Sequence, residues 1–482
     1  MASLFSEEKR IVLLRRIRGF WEEFSHNRIG FVGLLLLLAF IGMAVFAPWL
    51  TPYDPIAAPR VADGFAMPGW MTIFPQYSDH PRTMEIFPYW EVGNASDFVE
   101  IHAGKEVECS FYMTGETETV EISLITAFNY PYSVPPNRFS FSFEWDVSNL
   151  TNVGYSSKMF LTAPNGTSTR VWREAYTDVA RSLSVLVESS DYWLVKSLGY
   201  SDPKAINLAH LIFADPTQGE YRLKLQASFR PEVGAQIAEA EVSLHAFRIF
   251  IPGRVHGILG ADFAGSDVFS QLIYGSRISL IIGLMAAGIA TSIGILVGLV
   301  SGYLGGAVDE TLMRLVDILL CLPGLPLLLT LVKLFGKNVF FVVIFIALFG
   351  WLGLSRTIRS QVLSLRETAF VECAIASGAS RAYIMMKHLL PNIVPIALAS
   401  LVLSVPGGIL AEASLSFLGF GDPRVPTWGK MLNYAFGHGA FEEFAWWWAL
   451  PPGIAITLVC LAFVFMGFAI DEIVNPRLRR RR

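Results

Sequence analysis

Long apolar runs that are almost free of charge occur near the start of this chain and again throughout its second half. A helix needs about 20 apolar residues to cross a bilayer, and residues 29–50 carry no charge. The six predicted spans are residues 29–50, 278–303, 312–335, 339–355, 393–417 and 446–470. The pattern predicts an α-helical polytopic membrane protein with a soluble domain between its first two spans.

A cleaved signal peptide is the alternative interpretation of the first apolar run. The charged region before the run is long, the run is oversized for a signal peptide, and no small-residue cleavage site follows it. We therefore expect residues 29–50 to be the first transmembrane helix.

The third predicted span carries two charges near its start, Arg314 and Asp317. An unpaired charge at the centre of the bilayer costs about 2 to 3 kcal/mol. Because they are three residues apart on a helix, we expect the two side chains to pair on one face near the membrane interface.

Lysine and arginine cluster at residues 9–28, at 356–387 and in the closing RLRRRR at 477–482. Such residues accumulate in cytoplasmic loops, and six spans put all three clusters on one side. We expect both termini to be cytoplasmic and residues 51–255 to lie outside.

In residues 1–28, apolar residues recur at helical spacing with cations opposite them, which predicts a helix on the inner membrane surface. A solvated basic arm is the alternative.

Composition supports this division of the chain. The 482 residues are 53% hydrophobic and 16% charged, which is too apolar for an ordinary soluble enzyme. Residues 51–255 hold 24 acidic and 15 basic residues, a net charge of −9, and the rest of the chain has a net charge of +5. The basic cytoplasmic face is expected to bind anionic membrane lipid, at about 1 kcal/mol for each cation near the surface.

Residues 51–255 contain segments in which apolar and polar positions alternate, as they do in half-buried strands. In FSFSFEWDV, residues 139–147, and in YRLKLQASF, residues 221–229, the odd-numbered positions are apolar and the even-numbered ones polar. Turn signals such as APNGTS separate these segments. We predict a β-rich, sandwich-like domain with a helical or irregular excursion at residues 176–214.

This external segment holds three Asn-x-Ser/Thr sites, at Asn94, Asn149 and Asn165. Each is a candidate glycan acceptor where the cell has the machinery, although such triplets also arise by chance. Cys109 is the one cysteine in the segment, so no internal disulfide can stabilise it.

A polar stretch, ECAIASGASRAYIMMKHLLPN at residues 372–392, separates the fourth and fifth predicted spans. Gly378 is expected to break one short helix, and a second helix is expected to lead to Pro391 and the fifth span. The result is a helical elbow on the cytoplasmic side, a shape that can insert a helix into a groove on a partner. A simple connecting loop is the alternative.

The elbow resembles the EAA signature of permease subunits of ATP-binding-cassette importers. The resemblance rests on Glu372, Cys373 and Ala374, on Gly378, and on HLLPN at residues 388–392. Cys373 stands where alanine is usual, a change between small residues that we expect to be tolerated.

Further segments resemble the dipeptide/oligopeptide branch of that family. They are FAPWLTPYDP (46–55), LGADFAGSDVFSQLIYGSRISL (259–280), GYLGGAVDETLMRLVDILLCLPG (302–324), AEASLSFLGFGDPRVPTWGKML (411–432), WWWALPPGIAITLVCLAF (446–463) and NPRLR (475–479). The chain departs from the family pattern at Ser266, where arginine is usual, at Gln271, where arginine is common, and in its insert of about 200 residues, where the family has a short connection. Residues 256–476 are thus identified as a permease core.

The resemblance implies that the elbow is a coupling helix that docks in a cleft of an ATPase subunit. The residues implied in coupling are Glu372, Cys373, Ala374, Ala376, Gly378, His388 and Pro391. The implied partners are a second homologous permease, two cytoplasmic ATP-binding subunits and an extracytoplasmic substrate-binding protein, and nucleic acid is not among them.

The chain has no phosphate-binding G-x-x-x-x-G-K-[ST] loop, catalytic triad or metal-ligand spacing. We expect no cofactor in this chain, with ATP and Mg²⁺ bound by the partner ATPases.

Candidate gate residues lie near the outer end of the fifth span: Glu412, Phe417 and Trp428. Ionisable residues in membranes avoid lipid, so Glu412 is expected to face the pathway. An interfacial glutamate paired with Arg424 or Lys430 is the alternative, and residues 417–436 resemble an external lid.

Small residues and prolines shape the predicted spans. Gly294, Gly298 and Gly302 form a stripe that permits close helix packing, although glycine is also common in membrane helices. Prolines in the third and fifth spans, Pro323, Pro326, Pro395 and Pro406, are expected to kink or break them.

We therefore expect a non-enzymatic permease subunit of an ATP-driven peptide importer in the plasma membrane. Within the same family, an oligosaccharide importer is the alternative. A membrane-anchored receptor, whose β-rich domain would carry the function, is the rival from another class. A membrane enzyme ranks behind both for want of a catalytic constellation.

Overall fold

The computed structural model describes residues 18–19, 21–57, 59–114, 118–200, 202, 204–214 and 219–474. The chain divides into two compact units. The insert unit is Pro59–Asp267, and the helical unit holds the described residues up to 57 and from Val268 onward. The insert unit begins and ends later in the chain than the predicted boundaries at 51 and 255. Most of the predicted segment 1–28 and all of the basic tail lie outside the described residues.

Helix α1 (Arg28–Leu50) follows a helical stretch at residues 21–26 and matches the first predicted span. Pro48 lies in its last turn and has no N–H to donate to Ala44 O, four residues earlier. Arg277 Nε, from a later helix, donates a hydrogen bond to that oxygen. An arginine from a second helix therefore supplies the bond that the proline ring removes.

The described part of the insert unit contains thirteen strands and two short helices. The strands are β1 Met67–Pro68, β2 Met84–Ile86, β3 Glu91–Asn94, β4 Val99–His102, β5 Val107–Thr114, β6 Val120–Tyr130, β7 Ser140–Thr151, β8 Val153–Thr162, β9 Ser168–Thr177, β10 Arg181–Glu188, β11 Gly219–Pro231, β12 Ile237–Ile251 and β13 Val255–His256. The helices are α2 Tyr192–Ser197 and α3 Leu208–Ile212, and 3₁₀ turns lie at Gly69–Ile73 and Pro75–Tyr77.

Two antiparallel sheets form the insert unit. One has the order β10-β7-β12-β5-β4, with β2 paired to the end of β12, and the other has the order β3-β6-β11-β8-β9. Phe111 on β5 and Phe229 on β11 stack across the interior with ring centroids 4.9 Å apart. The two sheets thus pack face to face as a sandwich, and short strands β1 and β13 pair in parallel beside them.

The predicted inward-facing residues of β7 and β11 are all buried, which confirms the β-rich interpretation. The predicted excursion at 176–214 is wrong in its first part, because β10 continues the sheet there and pairs with β7. Most side chains of β10 are exposed or half-buried. Pairing with a neighbouring strand, and not its own burial, makes this segment a strand.

From Val268 onward, the described part of the helical unit contains nine α-helices. They are α4 Val268–Leu304, α5 Gly306–Cys321, α6 Gly324–Phe335, α7 Val339–Arg366, α8 Ala369–Ala376, α9 Arg381–Ile384, α10 Leu390–Phe417, α11 Trp428–Gly437 and α12 Trp446–Val474. By length and composition, five helical stretches in the described part of the chain can cross a membrane, and the α5–α6 pair makes a sixth if its two helices form one span.

The third predicted span is a broken helix and not a continuous one, with an angle of 88° between α5 and α6. The break falls at Leu322 and Pro323, as the proline pattern predicts. Leu322 has extended backbone angles, φ −76° and ψ 136°, because the proline ring disfavours the helical conformation in the residue before it. By contrast, α10 continues through Pro395 and Pro406, so these prolines do not break the fifth span. Membrane helices tolerate proline where neighbouring helices support the backbone.

Contacts between helix ends show how the spans alternate. Asn27, just before α1, donates a hydrogen bond to Glu472 Oε2 in the last turn of α12 at 2.9 Å. Thr51, just after α1, is hydrogen-bonded to Ser270 in the first turn of α4. The start of α1 and the end of α12 therefore lie at one end of the helical unit, and α4 begins at the opposite end.

The path of α5 and α6 follows from the helices on either side of them. Helices α4 and α7 finish together, since Arg366 Nη1 donates to Tyr303 O at 3.4 Å. Helix α7 begins at the opposite end, where Val339 N donates to Asp422 Oδ2, just beyond α10, at 3.3 Å. The bent pair must therefore connect one end to the other, which makes six crossings.

The predicted pairing of Arg314 with Asp317 is wrong. Arg314 lies 3.9 Å from Glu310, one turn earlier on the same helix, and Asp317 accepts a hydrogen bond from Arg356 on α7. A partner on another helix is decided by tertiary packing, which local spacing cannot reveal.

The predicted glycine stripe packs α4 against α7. A Cβ added at Gly294, Gly298 or Gly302 would lie 3.1 Å from Leu354 Cβ, 2.6 Å from Ser355 O and 2.8 Å from Val362 Cβ respectively. The absence of side chains lets the two backbones touch.

Candidate functional site

The elbow, residues 367–389, joins the end of α7 to the start of α10. It consists of helix α8, a turn at Gly378, helix α9 and a π-helical turn at Met385–Leu389. The sequence prediction of two short helices around Gly378 is correct, but the second helix does not stop before Pro391. It passes through the π-helical turn into α10, where Pro391 occupies the first turn and needs no hydrogen-bond donor.

The turn of the elbow is a Schellman motif. Gly378 has φ +78°, a left-handed conformation that glycine adopts without strain. Gly378 N donates to Ile375 O at 3.0 Å, and Ala379 N donates to Ala374 O at 3.1 Å. Ser380 then caps α9, because its Oγ accepts a hydrogen bond from Tyr383 N at 3.3 Å. Backbone geometry thus sets the angle between the two short helices.

One face of the elbow is buried against the long helices. Val371, Ile384 and Leu389 are at most 1% exposed and share a cluster with Ile358 and Val362 of α7. Leu299 and Tyr303 of α4 belong to the same cluster. The elbow is therefore packed onto two membrane helices.

The other face of the elbow is an exposed apolar surface, which we call the docking face. Its large side chains are Phe370, Ile375, Tyr383 and Met386, which are 42%, 53%, 52% and 62% exposed. Exposed apolar patches with polar rims mark sites of protein interaction.

The predicted coupling residues lie around this docking face. Glu372, Cys373, Ala376 and Gly378 are exposed, and Ala374 is half-buried beneath them. Glu372 lies in the first turn of α8, where a negative charge interacts favourably with the helix dipole.

His388 and Pro391 lie where the elbow passes into α10. The His388 ring lies 5.6 Å from that of Tyr383 and 6.2 Å from that of Phe370, which fits an aromatic support for two docking-face residues. Pro391 is exposed in the first turn of α10.

A salt bridge beside the elbow was not predicted from the sequence. Asp309 Oδ1 and Oδ2 accept hydrogen bonds from Arg359 Nε and Nη2, both at 2.6 Å, and Ser301 Oγ also donates to Asp309. This bidentate pair connects α5 to α7 near the end where the elbow lies. Both residues are charged and lie at a predicted membrane boundary, but 50 residues separate them, so spacing gave no signal of the pair.

The gate candidates lie at the end of the helical unit opposite the elbow. Trp428 Nε1 donates to Leu272 O, near the start of α4, at 2.9 Å, and its ring meets Phe40 edge-on at 5.8 Å. Trp428 is completely buried, so it joins three helices rather than lining an open cavity. Phe417 is 39% exposed, with its ring 5.8 Å from that of Phe436.

Glu412 is buried inside α10, as expected for a charge that avoids lipid. Its Oε1 accepts a hydrogen bond from Ser416 Oγ at 2.6 Å. The alternative pairing with Arg424 or Lys430 is wrong, since Arg424 binds Asp422 and Lys430 Nζ donates to Pro423 O at 2.6 Å.

The loop after α10 is held by Asp422. Burial alone would raise the pKa of this carboxyl, but hydrogen bonds from Arg424 and from Val339 N hold the pKa below its ordinary value. Gly429, at the start of α11, lies so close to α10 that an added Cβ would be 2.6 Å from Ala413 O. The predicted lid is thus a packed element joined to α7 and α10.

The three candidate glycan acceptors are all exposed on the insert unit. Asn149 Nδ2, at a left-handed position with φ +50°, donates to Glu241 Oε2 at 2.7 Å. Asn165 Oδ1 accepts from Thr167 N within a tight turn. Glycosylation of Asn149 would require its side chain to leave Glu241.

Five or six helices that can cross a membrane, and an elbow with an exposed apolar face, define a polytopic membrane protein of the permease class. Comparison with known proteins supports this class. Residues 294–480 match the model of the binding-protein-dependent transport system inner membrane component. Residues 16–67 match that of the N-terminal transmembrane domain of oligopeptide transport permease C.

Individual relatives agree with the family models. A putative peptide permease protein of Brucella ovis is 39% identical over 45% of this chain and 72% of that relative. The oligopeptide transport system permease protein OppC of Haemophilus influenzae is 38% identical over 46% of this chain and 70% of that relative. The dipeptide transport system permease protein DppC of Bacillus subtilis is 36% identical over 46% of this chain and 69% of that relative. This chain therefore belongs to the oligopeptide-type permease family of ATP-binding-cassette importers.

Proposed function

We propose that this chain is the permease subunit of an ATP-driven importer of peptides in the plasma membrane. It forms half of the translocation pathway, and a second homologous permease forms the other half. Two cytoplasmic subunits bind ATP and Mg²⁺, and a substrate-binding protein outside the cell delivers the peptide. Relatives that are named oligopeptide and dipeptide permeases support peptides over oligosaccharides as the substrate.

We assign the elbow end of the helical unit to the cytoplasm. The start of α1, the end of α12 and the elbow lie at this end, and the three basic clusters of the sequence are in or next to these segments. The insert unit follows the end of α1 and precedes the start of α4, which lie at the opposite end. This assignment puts the insert unit outside the cell.

The exposed docking face, on an elbow whose other face is firmly packed, is the observation that carries the proposal. The docking face presents apolar side chains to a cleft of the ATPase, and the buried cluster transmits any displacement to α4 and α7. Closure of the two ATPases on ATP would then move these helices as a rigid body and switch the pathway between its outward and inward states.

The first test is ATP hydrolysis by the complex reconstituted in lipid from this chain, its partner permease and its ATPases. We expect Gly378→Asp and Glu372→Ala to reduce substrate-stimulated hydrolysis by about tenfold or more, because the docking face would be displaced or altered. Assembly of the subunits should be retained, as measured by co-purification.

Matched variants outside the elbow serve as controls. Gly336 also has a left-handed backbone, φ +101°, and open space around its Cα, and Glu310 is an exposed glutamate near the start of α5. We expect Gly336→Asp and Glu310→Ala to leave stimulated hydrolysis close to wild type. If no ATPase co-purifies with the chain, or if the control variants are as defective as the elbow variants, the coupling role is wrong.

A further inference from the structure

The insert unit contains a cavity of about 500 Å³, within the range of about 300–1,000 Å³ found for small-molecule sites. Its floor is the outward face of the six-stranded sheet. The register places Leu186, Ser142 and Arg248 in one row across strands β10, β7 and β12. Glu188, Ser140 and Phe250 form the next row on the same face. The floor therefore presents an arginine and a glutamate at diagonally opposite corners.

Three arginines line the cavity, and the Nε atom of each lies near an oxygen atom. Arg60 Nε donates to Ala264 O at 3.1 Å, Arg248 Nε lies 2.6 Å from Glu85 Oε1, and Arg138 Nε lies 3.8 Å from buried Asp63. The Arg248 guanidinium also lies over the Phe250 ring at 5.1 Å. A hydrogen bond thus fixes Arg60, whereas Arg138 and Arg248 lie beside carboxylates without a hydrogen bond at Nε within the described residues.

The remaining polar groups of the cavity have no partner among the described residues. No hydrogen bond joins the Nη atoms of the three arginines, the Glu188 carboxylate or the Ser140 and Ser142 hydroxyls to the part of the chain that the structure describes. Guanidinium Nη pairs bind carboxylates with two parallel hydrogen bonds, and a carboxylate binds an ammonium group. A ligand with both charges would satisfy both kinds of group at once.

The distance between the charged corners sets the length of that ligand. Strands lie about 4.8 Å apart and rise about 3.4 Å per residue, so the Cα atoms of Glu188 and Arg248 are about 12 Å apart on an ideal sheet. An extended chain covers about 3.4 Å per residue, so the charged ends of a tripeptide lie about 10 Å apart. The apolar side chains of Leu186 and Phe250 flank the path between the corners.

We propose that this cavity binds a short zwitterionic peptide of about three residues. The peptide ammonium group pairs with Glu188, and its carboxylate pairs with the Arg248 guanidinium. Arg60, Arg138 and the two serines supply hydrogen bonds to the peptide carbonyls. The choice of ligand rests on the proposed import of peptides, and the site would capture substrate on the insert unit itself.

Calorimetric titration of the full-length chain in lipid nanodiscs with tri-alanine tests this site. We expect Arg248→Gln and Glu188→Gln each to weaken tri-alanine binding by about tenfold or more, because each removes a charge-assisted interaction. Tri-alanine amide lacks the carboxylate, and its affinity for wild type should equal the affinity of tri-alanine for Arg248→Gln. N-acetyl-tri-alanine lacks the ammonium group, and its affinity for wild type should equal the affinity of tri-alanine for Glu188→Gln. Arg248→Gln should bind the amide, and Glu188→Gln the acetylated peptide, only slightly more weakly than it binds tri-alanine.

The matched control is Arg230→Gln, an exposed arginine on β11 of the other sheet, which should bind tri-alanine as wild type does. The proposal is overturned if tri-alanine does not bind, if Arg248→Gln binds it as tightly as wild type, or if Arg230→Gln is equally weakened. The elbow variant Gly378→Asp should keep full binding. Normal ATPase coupling without cavity binding would refute the site and leave the transport function intact.

Discussion

The insert unit and the helical unit place their large apolar side chains in opposite ways. Ten of the twelve largest completely buried side chains in the described residues belong to the insert unit, and they are all Phe, Tyr or Trp. In the helical unit, large residues such as Leu296 and Phe468, 64% and 61% exposed, face outward. The interior of α4 is instead rich in glycine, alanine and serine.

The difference shows which medium each unit is built for. Water drives large apolar groups into the core of the insert unit, because burial removes apolar surface from water. Lipid is as apolar as leucine, so helices in a membrane gain little by burying leucine and associate through close packing of small residues. Large apolar residues thus fill the interior of the insert unit, whereas in the helical unit small residues fill the interior and large apolar residues face outward.

The largest expected effect is the loss of an aromatic ring from the insert core. Phe229→Ala removes a completely buried ring that stacks on Phe111, and we expect it to destabilise the insert unit by about 3 to 5 kcal/mol. The control Phe87→Ala removes a ring that is 62% exposed. Susceptibility of the insert unit to protease in the full-length chain measures the difference. Equal susceptibility of the two variants would show that the cross-sheet stack does not stabilise the sandwich.

An intermediate effect is expected when a methyl group is added to the helical interior. Gly298→Ala places a carbon 2.6 Å from Ser355 O, and overpacking of this kind costs about 1 to 3 kcal/mol. Gly288 lies on the same helix with nothing within 4 Å, so Gly288→Ala should be harmless. Thermal stability of the purified chain in detergent compares the two variants. If both behave alike, the α4–α7 contact is looser than the structure shows.

The smallest expected effect is the alkaline destabilisation of the insert unit over the first pH unit above pH 9. Burial raises the pKa of the Cys109 thiol from 9.0 to about 12, so the folded state keeps a proton that the unfolded state loses. Stability is therefore intact below pH 9 and falls by about 1.4 kcal/mol per pH unit between pH 9 and 12. The same protease assay at several pH values measures this slope. In Cys109→Ala the slope should be shallower, and an unchanged slope would falsify the assignment to this thiol.

Periodicity predicted the elements whose apolar pattern runs along their whole length. The apolar runs of the spans and the strict alternation in β7 and β11 record burial by one face or by all faces, and the structure confirms them. Strand β10 was missed because its side chains are mostly exposed and its place depends on the neighbouring strand β7. The break at Pro323 was predictable because the proline ring acts on its immediate neighbour, whereas the continuity of α10 through Pro406 depends on the packing of other helices.

The sequence by itself determined the membrane class, the β-rich insert, the position of the elbow and the glycine at its turn. Each of these depends on local covalent geometry or on a repeating pattern of burial. Only the tertiary structure decided which charges pair, as with Arg359 and Asp309, or Arg356 and Asp317. It also decided that Trp428 is buried and that three arginines and Glu188 share one cavity. These arrangements join residues far apart in the chain, and their partners are chosen by packing in three dimensions.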